Sequence, residues 1–318
     1  MSEVKQNGMS VIVPFLNEEE GIELFCEKID EYAGNTDFKL ELIFVDDGST
    51  DRSVEILRSY PFKKAASIKI VRLSRNFGSH AAIRAGLTRA SYGICTWMGS
   101  DLQEPFELLE KSYRIITEEG YDAVYIDKKS VEVSFFNRLF SRIYSGLMRR
   151  FAVSSYSSGG ISTIVFNEKI KEHLNENIET NSSIMLQIMN AGFRYQTISL
   201  EYGKRAAGRS KWTLSKKIKL FIDSFVAFSF MPVRFISMMG VLIFLAGMIF
   251  GIIAVVTKLA APDVSAGLYV LMCIIGIGFG ITNISLGIIA EYLWRAYDAA
   301  RNRAVFIISE VLDLRDGG

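Results

Sequence analysis

A chain of 318 residues has room for one large domain or two smaller ones. Its 36 Lys+Arg against 35 Asp+Glu leave a net charge of +1, which argues against a nucleic-acid polyanion as partner. Hydrophobic residues make up 49% and crowd the region after Phe221, and the cysteines, Cys26, Cys95 and Cys273, share no metal or redox spacing and read as buried thiols of a reducing compartment.

Residues 9–15 (MSVIVPF) are a continuous β-rich apolar run, as for a strand buried on both faces of a parallel sheet. The preceding residues (MSEVKQN) lack an apolar signal core, so the first 200 residues are expected to stay in the cytosol. Asn17 followed by Glu20 predicts a helix start, with Ile22, Leu24, Phe25 and Ile29 behind it. Residues 40–45 (LELIFV) predict a second strand, which stops at Asp46-Asp47-Gly48-Ser49-Thr50-Asp51 before a helix carrying Val54, Ile56 and Leu57. A third strand is expected over 68–73. The segment from Arg75 to His80 then leads into an Ala-rich helix over 81–90. The fourth strand, residues 92–98, runs out into Ser100, Asp101 and Gln103. Pro105 then opens a helix with Phe106, Leu108, Leu109 and Tyr113, a first-turn place where its missing N–H costs nothing. Residues 123–126 predict a fifth strand. This βαβα rhythm predicts an α/β domain with a doubly wound, mostly parallel, Rossmann-like sheet over about residues 8–130.

In such a sheet the strand ends lie on one rim, where ligands bind. They carry Pro14, Asn17 and Glu18, then Asp46 and Asp47, then Arg75, Asn76 and His80, then Asp101 and Gln103. Asp101 and Gln103 are oxygen donors suited to Mg²⁺ or Mn²⁺; the plainer reading is a polar turn that caps the next helix. Two acids with Arg75 near a cation suit a nucleotide diphosphate. No Gly-x-Gly-x-x-Gly or Gly-x-x-x-x-Gly-Lys-Ser/Thr is present, so metal and basic side chains must neutralise the phosphates. His80 reads as a helix-entry hydrogen-bonder before it reads as a catalyst.

Residues 235–257 and 264–290 carry no charge, and at ~1.5 Å per residue each can span a ~30 Å hydrocarbon core. Their glycines, among them Gly240, Gly247, Gly276 and Gly280, suit close helix packing in lipid, although a buried soluble hairpin has the same pattern. Lys211, Lys216, Lys217, Lys219 and Arg234 flank the first stretch, Arg295, Arg301 and Arg303 follow the second, and the connecting loop has only Lys258. Both ends are therefore expected to be cytoplasmic. Leu214, Ile218, Phe221, Ile222 and Phe225 form an apolar stripe opposite three of those lysines, as in a helix lying in the membrane surface or an ordinary core helix. The tail, residues 304–311, reads as a short strand that could dock on a neighbouring subunit and make a homo-oligomer. The expected organisation is a catalytic domain over 1–212, an interfacial helix over 213–232, a two-helix transmembrane hairpin over 233–292 and a tail over 293–318.

The segments VIVPFLNEEEGI, FVDDGSTD, LSRNFGSHAAIRAG and SDLQEP, in this order, resemble the family 2 glycosyltransferases of GT-A fold. With RAAGRSKW at 205–212 and the two late apolar stretches, the likeness narrows to the polyprenyl-phosphate glycosyltransferases and covers almost the whole chain. The resemblance implies that Pro14, Leu16 and Glu18 line the nucleotide pocket and that Asp47 reads the base. It places Asp46, Arg75 and Ser100 at the same donor site, and Asp101 and Gln103 on the metal. It implies that Arg205, Ser210 and Lys211 close over the donor phosphates and the acceptor. Arg138, Ser141 and Arg142 become candidates for the acceptor phosphate, since helical spacing puts the two arginines on one face; a basic face near anionic lipid is the alternative. The reaction implied is inverting sugar transfer from a nucleotide sugar, UDP favoured, to a polyprenyl (undecaprenyl) phosphate at the inner face of the plasma membrane, for cell-envelope glycan modification.

Two positions depart from the family pattern. Gly99 stands where an Asp-x-Asp metal motif has its first Asp. Gly159-Gly160-Ile161-Ser162-Thr163 stands where Gly-Asp-Phe-Arg-Leu carries a proposed catalytic Asp. A phosphate monoester has its second pKa near ~6, so the acceptor is already mostly a dianion at neutral pH and needs positioning more than a base. Two other readings stay open. One is a non-catalytic or partner-dependent membrane scaffold with a degenerate transferase fold. The other is a processive polysaccharide synthase, against which the two spans and the lack of Gln-x-x-Arg-Trp weigh.

Overall fold

The computed structural model describes residues 5–129, 161–178, 183–202, 267–300 and 304–315, with single positions at 249, 256 and 259. The chain divides into two compact units, Met1–Ser224 together with Ala304–Gly318, and Phe225–Arg303.

The first unit is built on β1 (Lys5–Phe15), α1 (Ile22–Ala33), β2 (Lys39–Asp46), α2 (Ser53–Ser59), β3 (Ser67–Leu73) and α3 (Ser79–Leu87). It continues with β4 (Tyr92–Trp97), α4 (Glu107–Glu118), β5 (Ala123–Lys129), β6 (Ile161–Phe166), α5 (Glu168–Glu176), α6 (Ile184–Asn190), β7 (Tyr195–Glu201) and β8 (Ile308–Arg315). One eight-stranded sheet runs β7-β5-β6-β4-β1-β2-β3-β8. β1 pairs in parallel with β2 and β4, as do β2 with β3 and β5 with β7. β4–β6, β5–β6 and β3–β8 are antiparallel, so the sheet is mixed, where the sequence led us to expect a mostly parallel one.

Continuous apolar strands follow from cover on both faces. Met9, Val11, Ile12 and Val13 of β1 are all fully buried, and so are Leu42, Ile43, Phe44 and Val45 of β2. The small residues of α3 explain how closely it lies on the sheet. A Cβ at Gly86 would sit 2.5 Å from Ile12 Cγ2 and 3.0 Å from Val45 Cγ2. On the other face α1 buries Ile22, Phe25, Cys26 and Ile29, and its Asp30 carboxylate accepts the backbone N–H of Lys63, Lys64 and Ala65 at 2.9–3.0 Å. Cys26 and Cys95 are buried free thiols, as expected; burial pushes Cys95 up to about 12 and also raises Cys26.

Two expectations are corrected. Asn17 does not cap α1: the helix begins at Ile22 after Gly21, and Asn17 takes a left-handed backbone with φ 50°. The tail docks on its own sheet. β8 pairs Ile70↔Leu312, Val71↔Val311 and Arg72↔Glu310, which covers the β3 edge that would otherwise expose unpaired N–H and C=O groups.

In the second unit, α7 (Gly267–Ala300) is one helix of 34 residues. Among the residues whose side chains are described, no helix is long and apolar enough to cross a membrane. The expected interfacial helix lies outside the described residues, as does the first apolar stretch apart from positions 249 and 256.

Candidate active site

Chain order makes β1 and β4 the switch point of the sheet. β1 feeds β2 and β3 on one side, whereas β4 continues toward β6, β5 and β7 on the other. Ligands of open α/β sheets bind beyond the carboxyl ends at such a place. Met98 N–H still donates to Ile12 O at 2.9 Å, so the β1 and β4 exits start side by side.

The β1 and β2 exits are laced together by reciprocal hydrogen bonds. Asn17 N–H donates to Ser49 Oγ at 2.9 Å, and Thr50 N–H donates back to Asn17 Oδ1 at 2.8 Å. Glu18 N–H donates to Ser53 Oγ at 2.8 Å. Glu19 N–H donates to Asp51 Oδ2 at 3.1 Å, and Arg52 N–H donates to Glu19 Oε2 at 3.2 Å. Pro14, Leu16 and Glu18 are thus fixed, half-buried, beside the β2 turn.

Asp46 and Asp47 turn inward. Asp46 is fully buried; its Oδ1 accepts Ser49 N–H at 2.7 Å and its Oδ2 faces Arg72 Nε at 3.3 Å. In this structure the Asp46 carboxylate, closed off from solvent, shapes its own turn. Asp47 is 5% exposed and accepts Phe77 N–H at 2.7 Å on Oδ1 and Gly78 N–H at 2.9 Å on Oδ2. Burial raises its pKa; the Phe77 and Gly78 bonds pull it down, and neighbouring Asp46 raises it further. Gly48, at φ +82, lets the two turns touch: a Cβ there would lie 2.8 Å from the backbone of Arg75 and Asn76. Arg75 is exposed, with its guanidinium 4.0 Å over the Phe77 ring and donating to Asn76 O at 3.3 Å. The rim cation is thereby held by its own loop.

The β4 exit is held by Glu104, which sequence reasoning passed over. Gly99 N–H donates to Glu104 Oε2 at 2.8 Å, and the buried Thr163 hydroxyl of β6 donates to Glu104 Oε1. Its place directly after Gln103 was the only available signal, and the partner on β6 is a tertiary fact. Leu102 takes φ 56°, a rare backbone for a residue with a Cβ and of the kind that gathers at functional loops. Asp101 and Gln103 are half-buried, Ser100 is buried, and Gln103 N–H donates to Asp101 Oδ1 at 3.3 Å. A Cβ at Gly99 would stand 3.1 Å from Asp101 Oδ1, so an acid there would share one locality with Asp101. Tyr202 bonds Ser162 on β6. Its phenol pKa is raised by burial first and by the charge of Glu104 second.

This donor set fits a hard cation of the kind that binds one or two protein oxygens and completes its shell with substrate phosphates. Among the described residues there is no group of three His, Cys, Asp or Glu that could enclose a metal. His80 Nδ1 is buried without a hydrogen-bond partner, so the expected helix-entry bond is absent there. Burial lowers its pKa, with Arg84 adding to the effect. Arg138, Ser141, Arg142, Arg205, Ser210 and Lys211 lie outside the described residues, as does Gly160.

The chain is 28% identical over 306 residues to the undecaprenyl-phosphate 4-deoxy-4-formamido-L-arabinose transferase of Edwardsiella ictaluri, covering 96% of this chain and 94% of that one. It is 31% identical to the uncharacterized glycosyltransferase YkcC of Bacillus subtilis, over 95% of this chain and 93% of that one. Among solved structures it is similar to the mannosyltransferase PcManGT of Pyrobaculum calidifontis in complex with GDP-Man and Mn²⁺. That likeness has a TM-score of 0.45 and 20% identity, over 66% of this chain and 60% of the other. Residues 10–198 match glycosyl transferase family 2, which takes in every strand exit described above. The chain belongs to that family, and its mixed α/β sheet is GT-A-like.

Proposed function

We propose that this protein transfers one sugar from a nucleotide sugar to a polyprenyl phosphate, with inversion, at the cytoplasmic face of the plasma membrane. The carrying observation is the laced rim, where the β1, β2 and β3 exits are bonded into one wall facing the β4 exit. The near full-length likeness to an enzyme named for undecaprenyl phosphate supports the acceptor class. Residues 235–257 and 264–290 support the hairpin, and their basic flanks support cytoplasmic ends.

In this reading Pro14, Leu16, Glu18 and Asp47 form the nucleotide wall, and Arg75 offers a cation at its edge. Asp101 and Gln103 would hold Mg²⁺ or Mn²⁺, which supplies charge neutralisation at the diphosphate. Arg205 and Lys211 neutralise the incoming phosphate, and with Ser210 they close over the donor phosphates; Arg138, Ser141 and Arg142 hold the acceptor. An acceptor phosphate oxygen forms a bond to the anomeric carbon as the bond from that carbon to the diphosphate oxygen breaks. A nucleoside diphosphate leaves. The attacking oxygen is already anionic, so the step requires orientation and field rather than a general base. Anchoring in the bilayer fits an acceptor whose apolar tail would lose ~0.8 kcal/mol per CH₂ on entering water.

The test is the purified full chain with undecaprenyl phosphate, Mg²⁺ or Mn²⁺ and a panel of nucleotide sugars, UDP sugars first. A single lipid-linked sugar is expected, and Asp101→Ala should remove turnover and weaken Mn²⁺ binding seen by EPR. Full activity of that variant would remove the metal assignment. A polymer would indicate a processive synthase. No product with any donor would favour the scaffold to which Gly99 points.

A further inference from the structure

The last strand of the chain reaches the turn that shapes the donor wall. Glu310 of β8 stands opposite Arg72 of β3, and its Oε2 lies 3.3 Å from Arg72 Nη1 and 2.7 Å from Arg58 Nη2. The same Arg72 guanidinium turns its Nε to Asp46 Oδ2 at 3.3 Å. Asp46 in turn fixes Ser49 N–H at 2.7 Å, and Ser49 Oγ accepts Asn17 N–H at 2.9 Å. β8 is held at this point by two more bonds, Ser309 Oγ donating to Arg72 O at 3.1 Å and Ser74 N–H donating to Ile307 O at 2.9 Å.

Asp46 is fully buried, and a buried carboxylate without a counter-charge is costly. Arg72 is its one ion-pair partner among the described residues. Arg72 is itself over a third exposed, and its guanidinium is shared between Asp46 and Glu310. A rigid fork held at one end by Glu310 presents its other edge to Asp46 in a set direction.

We propose that Glu310, acting through Arg72, is a positioning residue for the donor loop, so that the C-terminal strand sets nucleotide affinity. This rests on the reading that the β1 and β2 exits hold the donor. The test uses the full chain in detergent, with UDP and GDP, each with Mn²⁺, as probes and titration calorimetry as readout. Glu310→Gln should weaken nucleotide binding by about threefold, the size expected of a half-exposed ion pair. In the transfer assay it should raise the donor KM with kcat unchanged. Arg72→Gln should weaken binding about tenfold or more, and adding Glu310→Gln to it should cost nothing further. Arg58→Gln removes an ion pair of Glu310 but nothing that faces Asp46, so it should bind UDP as the unaltered protein does. Equal losses in Glu310→Gln and Arg58→Gln would reduce the contact to strand docking and overturn the proposal. Unchanged affinity in a folded Glu310→Gln protein would overturn it too. If the unaltered protein binds no nucleotide, the donor-site reading fails first and takes this inference with it.

Discussion

Asn17 meets two demands at once: its backbone is left-handed at φ 50°, and its side-chain oxygen receives Thr50 N–H at 2.8 Å. Asparagine tolerates that conformation better than other residues with a Cβ, and its amide closes the loop onto the β2 turn. Asn17→Ala should therefore lower stability by about 1–2 kcal/mol in urea unfolding, part from backbone and part from the lost bond. Asn17→Gly should recover the backbone share alone, leaving it between the two. Glu104 is the corresponding fastener on the other side of the rim. Glu104→Ala leaves Gly99 N–H and the Thr163 hydroxyl without that acceptor, a loss of about 1–3 kcal/mol with weaker Mn²⁺ binding. Glu104→Gln, which keeps an acceptor oxygen, should recover part of both. An unaltered urea midpoint and Mn²⁺ affinity in Glu104→Ala would remove that role. The residue types on the rim were legible because each follows an apolar run that ends abruptly. Their partners were not. Asn17 and Glu20 have the letters of a capping box, and only the neighbouring Ser49 and Thr50 decide that the asparagine turns the other way.

At the scale of the strand, one buried acid ties four segments together. Glu41 of β2 is fully buried and accepts from Lys69 Nζ of β3 at 2.8 Å, from Ser91 N–H and Oγ at 2.8 Å before β4, and from Ser10 Oγ of β1. Burial by itself would raise its pKa; the bonds from Lys69, Ser10 and Ser91 outweigh it and hold the carboxyl below its ordinary 4.5. A carboxyl with a lowered folded pKa contributes stability above the unfolded value and loses it as pH falls through the folded one. Unfolding free energy should thus decline as pH drops below about 4.5, and the decline should be shallower in Glu41→Gln. That variant should also be less stable by about 3 kcal/mol at neutral pH, since Lys69 is left beside an uncharged partner. An identical pH slope in both proteins would assign the acid sensitivity to other carboxylates. The sequence displayed the parallel strands clearly because cover on both faces makes them unbroken apolar runs. It hid β6, in which Ser162 and Thr163 interrupt the pattern, and β7, where exposed and part-buried positions alternate. It showed β8 as a strand but not its partner, because pairing to β3 is decided by a register that includes Arg72↔Glu310.

For the whole molecule, what decides is chain order: Met1–Ser224 and Ala304–Gly318 belong to one compact unit, while Phe225–Arg303 forms another. Chain order therefore leaves the catalytic unit and returns to it. A membrane excursion in between requires an even number of crossings, since β8 must end on the side where β3 stands. Two uncharged stretches, 235–257 and 264–290, satisfy that count, and the segment between them, 258–263, would face outward. Thiol labelling can decide it with little background. Cys26 and Cys95 are fully buried, and burial raises both thiols, which keeps them protonated and slow to react; only Cys273 needs replacing, by Cys273→Ala. In that protein Ala261→Cys should react with a membrane-impermeant maleimide on intact spheroplasts, and Ser2→Cys only after permeabilisation. Labelling of both, or of neither, before permeabilisation would place residue 261 and the catalytic unit on one side. The hairpin would then have to be a buried pair of helices, and the lipid acceptor would have to leave the bilayer to be glycosylated.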